Sequence, residues 1–216
     1  MKHFHYYLLT MVVLGFLNTA YAAEGKTKQD KDSLEVIDQK WVSANYDYSR
    51  TTSVVVPEGV EIIGDYAFSG YDMLTSVTLP QTLKYIGEGA FDDCKRLKSI
   101  VIPEGTIVLE SAAFRRCESL ASVNLPQSLE RVGKNAFEGC RELESVDIPS
   151  KVFLLGAETF LGCESLRNVT LSPSLKHIKE RAFMNCKSLV GMDVPEGVRM
   201  IGEESFSGCE SLAEVM

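Results

Sequence analysis

The hydrophobic positions of this chain recur with a fixed spacing of 23 residues. Phenylalanine marks the spacing most clearly and without a slip, at Phe68, Phe91, Phe114, Phe137, Phe160, Phe183 and Phe206. A period between about 20 and 50 residues is typical of solenoids, in which stacked units share one continuous core because no unit can bury its own apolar face. The pattern therefore predicts a solenoid of about seven repeats over residues 53–216.

Each repeat opens with a short alternation of apolar and polar residues, such as Val77 to Leu79, and proline follows it. Period-two alternation closed by proline is typical of a short β-strand, because proline cannot donate a hydrogen bond within a ladder. Leu83 and Ile86 come next, and Gly87 is predicted to supply a turn. The remaining apolar positions follow one face of a short helical turn: Ala90, Phe91, Cys94 and Leu97. We expect parallel strands on the concave face and helical turns on the convex side.

The segment before the repeats divides into three parts. Residues 1–22 have a basic start, a short apolar run and an Ala-x-Ala exit, which is typical of a secretory signal peptide. Residues 23–33 are polar and charged, and are predicted to form a flexible linker. Residues 34–52 contain the only tryptophan, Trp41, and are predicted to cap the first coil. An exposed aromatic binding patch is the alternative interpretation of this segment.

The positions that recur every 23 residues together define one repeating unit. It contains a strand followed by Leu-Pro, Leu, Ile-Gly, Ala-Phe, Cys and Leu, as in residues 77–97. This unit resembles the 23-residue leucine-rich repeat of the BspA-like, or treponemal, class. The resemblance covers about residues 53–216 and implies an α/β leucine-rich repeat solenoid. It also implies a bacterial exported or surface protein whose relatives bind host matrix or plasma proteins, or other microbial cells. The class has no shared catalytic residues.

The charge balance narrows the class of partner. The 216 residues include 22 Lys and Arg against 30 Asp and Glu, for a net charge of −8. Phosphate binding needs clustered basic residues, so nucleic acid and anionic lipid surfaces are poor partners for this chain. No second long apolar segment follows the first, so we expect no membrane insertion after signal cleavage. A protein ligand fits this charge better.

Six cysteines form a column with the same 23-residue spacing: Cys94, Cys117, Cys140, Cys163, Cys186 and Cys209. Coils about 4.8 Å apart would bring their Cα atoms within the disulfide range of about 4.4 to 6.8 Å. However, side chains of one column point the same way, and Tyr71 takes the first place. Buried free thiols are the favoured interpretation. Three paired disulfides and a zinc site are the alternatives, zinc being less favoured because no local C-x-x-C pair is present.

The sequence offers little for catalysis. Signal cleavage removes His3 and His5 and leaves His177, which is predicted to lie on the surface in a turn. No G-x-S-x-G elbow, phosphate-binding glycine loop or H-E-x-x-H helix occurs. Acid pairs such as Asp92-Asp93 are predicted to be solvated. We therefore expect no enzyme, and no catalytic, metal-binding or cofactor-binding residues.

The predicted concave face is the candidate protein-binding site, because its outward positions alternate with core residues. These positions carry small polar side chains: Ser76, Thr78, Ser99, Ser122, Asn124, Ser145, Asp147, Asn168 and Thr170. They lack the aromatic and arginine anchors that dominate interface hot spots. A plain polar ladder, kept small for tight curvature, is the alternative. A second candidate surface is a basic cluster in the middle repeats, with Glu118 and Glu130 as expected ion-pair partners: Arg115, Arg116, Arg131 and Lys134.

Together these features predict an exported, non-catalytic protein-binding module that is periplasmic, surface-bound or secreted. Adhesion through the concave face to a host or microbial protein is the first hypothesis. The alternative is a periplasmic structural or assembly component that self-associates through its C-terminal coil. It rests on the repeats stopping inside a strand, where an uncapped end would expose strand edges and core side chains.

Overall fold

One long parallel sheet contains every second strand of the structure, beginning with the first. A computed structural model describes residues 36–215, so the predicted signal peptide and linker lie outside the described residues. Eight two-residue strands hydrogen-bond in chain order, each one coil from the next. They are β1 (Val36–Ile37), β3 (Ile62–Ile63), β5 (Tyr85–Ile86), β7 (Val108–Leu109), β9 (Arg131–Val132), β11 (Leu154–Leu155), β13 (His177–Ile178) and β15 (Met200–Ile201). We call this the second sheet.

The even-numbered strands line another side of the molecule. They are β2 (Ser53–Val55), β4 (Ser76–Thr78), β6 (Ser99–Val101), β8 (Ser122–Asn124), β10 (Ser145–Asp147), β12 (Asn168–Thr170), β14 (Gly191–Met192) and β16 (Glu214–Val215). They pair in parallel with a 23-residue offset, for example Val54 opposite Val77. They form parallel sheets of two, four and two strands. The predicted repeat solenoid with short parallel strands is therefore confirmed.

The third side of each coil is made of tight turns rather than the predicted helical turns. From Gly89 to Cys94, N–H groups alternate between a carbonyl of the next coil and a carbonyl three residues earlier. Phe91 N–H, for example, donates to Ala113 O at 2.8 Å. This alternation blocks a helix, because helical N–H groups must all bond within the segment. Two positions in each coil also adopt left-handed φ values of 55° to 76°.

The core is organised around the phenylalanine column. Neighbouring rings are stacked nearly parallel, with centroids 5.2 to 5.6 Å apart and interplanar angles of 1° to 9°. Phe68 and the next five members are fully buried, whereas Phe206 is half-buried. Leucine, isoleucine and valine from both sets of strands pack around them. Each coil thus buries its apolar side against its neighbours, as the repeat predicted.

Residues 36–52 lie against the first repeat. The strand β1 pairs with β3, and helix α1 (Gln39–Asn45) follows it. The helix begins where the Asp38 side chain accepts a hydrogen bond from Trp41 N–H at 2.8 Å, which satisfies a free donor of the first turn. Val42 is fully buried, and the rings of Tyr46 and Phe68 are 6.5 Å apart.

Glycine in the Gly87 column serves close coil packing rather than a left-handed turn. A Cβ at Gly87 would lie 2.7 Å from Asp65 N, and one at Gly133 would lie 2.5 Å from Glu110 C. Neither glycine has a positive φ. The backbones of adjacent coils therefore approach most closely just after the strands of the second sheet, where a side chain has no space.

Candidate functional site

All nine predicted binding residues are exposed and lie in the even-numbered strands. We call the outward side chains of β2 to β12 the strand face. The face has two rows, because each three-residue strand turns its first and third side chains outward and its middle one inward. Paired strands place Ser145 opposite Asn168 and Asp147 opposite Thr170. The rows follow the coil axis with a spacing of about 4.8 Å.

The polar atoms of the strand face are available to a partner. Among residues 36–215, none of the nine side chains forms a hydrogen bond to protein. Hydroxyl groups both donate and accept, and Asn124 and Asn168 add amide groups. Two valines interrupt the polar rows, since Val55 is 65% exposed and Val101 is 67% exposed. The face can therefore form many hydrogen bonds with a polar surface and a few apolar contacts.

Two open grooves lie at the end of the strand face nearest β14. They have volumes of about 460 and 440 Å³, and Thr170 and Asp193 line both. Asn168 lines the smaller one. Gly191 explains the gap, because it follows Asn168 in the same column and carries no side chain. Two of the predicted site residues thus border a concave feature that the sequence did not predict.

The predicted basic cluster is largely neutralised by carboxylates. Arg115 binds Asp92 with two hydrogen bonds of 2.7 and 3.0 Å, and the Asp92 residue is buried. This bond raises the pKa of Arg115. Arg131 pairs with Glu110 at 3.3 Å. The expected partners were wrong, because Glu118 pairs with Arg141 and Glu130 with Lys151, each one coil further along.

The cysteines are free thiols in the structure, and five of the six are buried. Each donates a hydrogen bond to the carbonyl of the phenylalanine in the preceding coil, as Cys117 Sγ does to Phe91 O at 3.2 Å. Burial raises the pKa of the Cys117 and Cys140 thiols well above the ordinary value. They therefore remain protonated near neutral pH and are poor nucleophiles and metal ligands.

Other acid–base chemistry is equally sparse. A hydrogen bond to Glu88 raises the pKa of Tyr66 to about 12, so this phenol is a weak acid. Within residues 36–215, no group of three or more His, Cys, Asp or Glu side chains is placed to hold a metal ion. The arrangement of described residues favours surface recognition over bond-making chemistry.

His177 lies in a strand, not in the predicted surface turn. It belongs to β13, is half-buried, and its Nδ1 atom is buried without a hydrogen-bond partner among the described residues. The pairing of β13 with β11 and β15 explains the difference. The strand was missed because two residues are too few to show a period-two pattern.

The outward side of the second sheet carries large apolar residues that the sequence pattern did not indicate as exposed. We call the outward side chains of the odd-numbered strands, and of the residue before each strand, the second-sheet face. On this face Ile107 is 40% exposed, Phe153 57%, Leu154 39% and Met200 39%. Phe153 and Leu154 stand in a four-residue apolar run, in which alternation cannot distinguish inward from outward positions.

The comparison with known families decides the assignment. The BspA type leucine rich repeat region matches in six copies, over residues 42–158 and 132–216. The chain belongs to the BspA-type leucine-rich repeat family. Proteins of this family and fold are typically non-catalytic. No curated protein matches the chain.

Solved structures of other bacterial leucine-rich repeat proteins are similar to this family member. The Treponema pallidum leucine-rich repeat protein is 32% identical, with a TM-score of 0.73, and 77% of this chain matches 79% of that one. A leucine-rich cell surface protein of Faecalibacterium prausnitzii is also 32% identical, with a TM-score of 0.70, covering 77% of this chain and 48% of that chain. A leucine-rich repeat protein of Eubacterium ventriosum is 29% identical, with a TM-score of 0.68, covering 74% and 43%.

The chain therefore spans less than half of two of these neighbours and about four fifths of the third. In the part of the chain that the structure describes, no helix combines the length and apolar character needed to cross a membrane. The family assignment supports a repeat module that interacts with proteins.

Proposed function

We propose that the chain is an exported adhesion module that uses the strand face to bind a protein of the host matrix or plasma, or of another microbial surface. The observation that carries the proposal is the strand face itself: nine exposed polar side chains in two rows, aligned by parallel pairing within the β2–β4 and β6–β12 sheets. Solenoids present extended ordered surfaces of this kind to macromolecular partners.

Two observations support binding at this face. The side chains form no hydrogen bonds within the described residues, so a partner need not break internal bonds to reach them. The grooves beside Asn168 and Thr170 provide a concave place for a projecting side chain of the partner. The F. prausnitzii neighbour is a cell surface protein, which is the location that adhesion requires.

A triple variant tests the strand face. Replacing Asn124, Asp147 and Thr170 by tryptophan fills the half of the second row nearest β14 with bulky side chains. We expect loss of capture of immobilised human plasma and matrix proteins, with an unchanged melting temperature because all three positions are exposed. The matched control places tryptophan at three exposed positions outside the even strands: Glu142, Glu180 and Ser207. Capture by the triple variant at the level of this control would refute the proposal.

Export and surface location need a separate test in cells. An antibody against the repeats should label intact bacteria, and external protease should degrade the protein without lysis. A protein that is protected until the envelope is opened would favour the periplasmic alternative.

A second candidate function is self-association through the last coil, and one observation favours it. Ile201 in β15 is 47% exposed, whereas its column neighbour Ile178 is fully buried. Phe206 is likewise less buried than the phenylalanines before it. Light scattering over a wide concentration range tests this function. A monomer at every concentration would refute it, and an assembly that Ile201→Glu abolishes would support it.

A further inference from the structure

A compact group of basic and apolar side chains lies on the second-sheet face of the last three coils. It has two rows of three, and we call it the apolar–basic patch. The first row is Phe153, Lys176 and Arg199, and the second is Leu154, His177 and Met200. Phe153, Leu154 and Met200 are the large apolar members and are 57%, 39% and 39% exposed. The patch lies on the second-sheet face and is separate from the strand face.

Backbone hydrogen bonds fix the spacing of the two rows. In the first row, Lys176 N–H donates to Phe153 O at 2.8 Å, and Arg199 N–H donates to Lys176 O at 2.8 Å. In the second row, β11, β13 and β15 pair in parallel, so that Leu154 opposes His177 and His177 opposes Met200. Because parallel strands are about 4.8 Å apart, the first and third members of each row are about 10 Å apart.

The basic groups of the patch are not neutralised by the protein. Among the described residues, neither Lys176 nor Arg199 forms an ion pair, whereas Arg115, Arg131 and Lys187 each have a carboxylate within 3.3 Å. Arg199 is exposed, and Lys176 is partly exposed. These two cations lie beside the exposed apolar side chains of the patch, on a chain whose net charge is −8. A partner with carboxylates would complement them, and one with apolar side chains would cover Phe153 and Met200.

We propose that the apolar–basic patch binds an extended acidic polypeptide segment that carries an apolar side chain about three residues from a carboxylate. An extended chain rises about 3.3 Å per residue, so three residues span the distance of about 10 Å from Phe153 to Arg199. The apolar side chain covers Phe153 and Leu154, and the carboxylate pairs with Arg199. Exposed aromatic and arginine side chains are the residue types that dominate binding energy at interfaces.

This site goes beyond the adhesive strand face and is independent of it. The strand face offers hydrogen-bonding groups of small side chains, whereas the patch offers apolar area and unpaired positive charge. A long polyanion without apolar groups is a poorer occupant, because two cations provide few contacts to it and the apolar half of the patch would remain uncovered.

The test is a selection of random twelve-residue peptides, displayed on phage, against the full chain. One variant, Phe153→Ser, removes the most exposed apolar side chain of the patch. A second variant, Lys176→Glu combined with Arg199→Glu, reverses its two positive charges. Two matched variants make the same kinds of change on the side of the even strands, at exposed positions: Val101→Ser and Lys98→Glu. Circular dichroism melting of all variants verifies that each is folded.

We expect selected peptides enriched in Asp or Glu together with Phe, Leu or Ile about three residues away. Each patch variant should weaken the best synthetic peptide by about tenfold or more, and the matched variants by less than about twofold. Peptides without acidic enrichment, or equal binding by the patch variants, would overturn the proposal. Heparin binding that survives Phe153→Ser and displaces the peptide would assign the site to polyanions and also overturn it. So would a dimer of the free chain that Phe153→Ser dissociates, since the occupant would then be a second copy.

Discussion

The strand face and the second-sheet face arise from the same 23-residue repeat but have opposite chemistry. The strand face is a regular array of serine, threonine, asparagine and aspartate in exposed positions. The second-sheet face carries exposed phenylalanine, leucine, isoleucine and methionine, with unpaired basic residues in the last coils. The difference teaches that a solenoid repeat fixes where each column points, while the residue type in an outward column is free to follow a partner.

The largest expected effect is a loss of folding stability at alkaline pH, which would remove both faces together. Burial raises the pKa of five fully buried thiols, so they stay protonated when folded but ionise in the unfolded chain, with an ordinary pKa of about 8.5. The resulting stabilisation is fully present below about pH 8.5 and is lost as the pH rises above it. Between pH 7.5 and 9.5 we expect a loss of about 1.4 kcal/mol per thiol and about 7 kcal/mol in all.

Urea unfolding at the two pH values, with reductant present, measures this loss. The variant Cys140→Ala is the control, because it should reduce the pH dependence by about one fifth. An unfolding free energy that does not change with pH would show that these thiols do not stay protonated in the fold. If binding at one face persisted at a pH where binding at the other face was lost, the two faces would not depend on one common core.

The next effect separates a buried phenylalanine from an exposed one. Phe137 is fully buried in the ring column, and Phe137→Ala should cost about 3 to 5 kcal/mol. Phe153→Ala on the second-sheet face is the matched variant and should cost less than about 0.5 kcal/mol. Denaturant unfolding compares the two. Similar costs would show that Phe153 supports the fold, and would remove the argument that it is kept for a partner.

A smaller effect concerns the packing of coils just behind the second-sheet face. In Gly133→Ala the new Cβ would lie 2.5 Å from backbone atoms of Glu110 and Ser111, so we expect a loss of about 3 kcal/mol from overpacking. Gly162→Ala is the control, since nothing lies within 4 Å of its Cβ and only its φ of +71° is unfavourable, at about 1 kcal/mol. Thermal melting ranks the two variants. The reverse ranking would mean that the coils can separate at this column.

The smallest expected effect on folding stability comes from two exposed positions, one on each face, whose variants should nevertheless differ in peptide binding. Val101→Ser and Phe153→Ser each shorten an exposed side chain, one on each face, and should change the unfolding free energy by less than about 0.5 kcal/mol. We expect Phe153→Ser alone to weaken acidic peptides. Calorimetric titration of the selected peptide measures both variants. Equal weakening would indicate a single binding surface, and the distinction between the faces would fail.

The sequence predicted the parts of the fold in which the same residue type, or the same apolar–polar alternation, recurs from coil to coil. The phenylalanine and proline columns predicted the solenoid, and alternation around Val77 predicted a strand whose neighbours point outward. The second sheet was missed because its strands have two residues each. Of the two left-handed columns, the one containing Gly139 is glycine in four of seven coils, whereas the one containing Ala112 has no consistent residue type. In both columns the backbone N–H donates to a carbonyl of the next coil, and in the Ala112 column this contact is not accompanied by a residue preference that a single sequence could show.

The site was predictable to a similar extent. All nine candidate residues are exposed because period-two alternation reports side-chain direction directly. The apolar–basic patch was not predicted, because Phe153 and Leu154 stand beside the buried Val152 and Leu155 and look like core residues. Ion pairs such as Arg131 with Glu110 join residues 21 positions apart, and only the coil register shows which charges meet.

The ladders along the three sides have a consequence for how such a protein changes length. Every coil bonds to its neighbours on the second sheet, on the side of the even strands and on the turn side, each with nearly the same offset in sequence. Inserting or deleting one whole 23-residue unit leaves all three ladders in phase, whereas any other insertion within a coil dislocates at least one. Duplication and loss of whole units is therefore the low-cost evolutionary route to longer or shorter homologues, and each event also adds or removes one row of both outward surfaces.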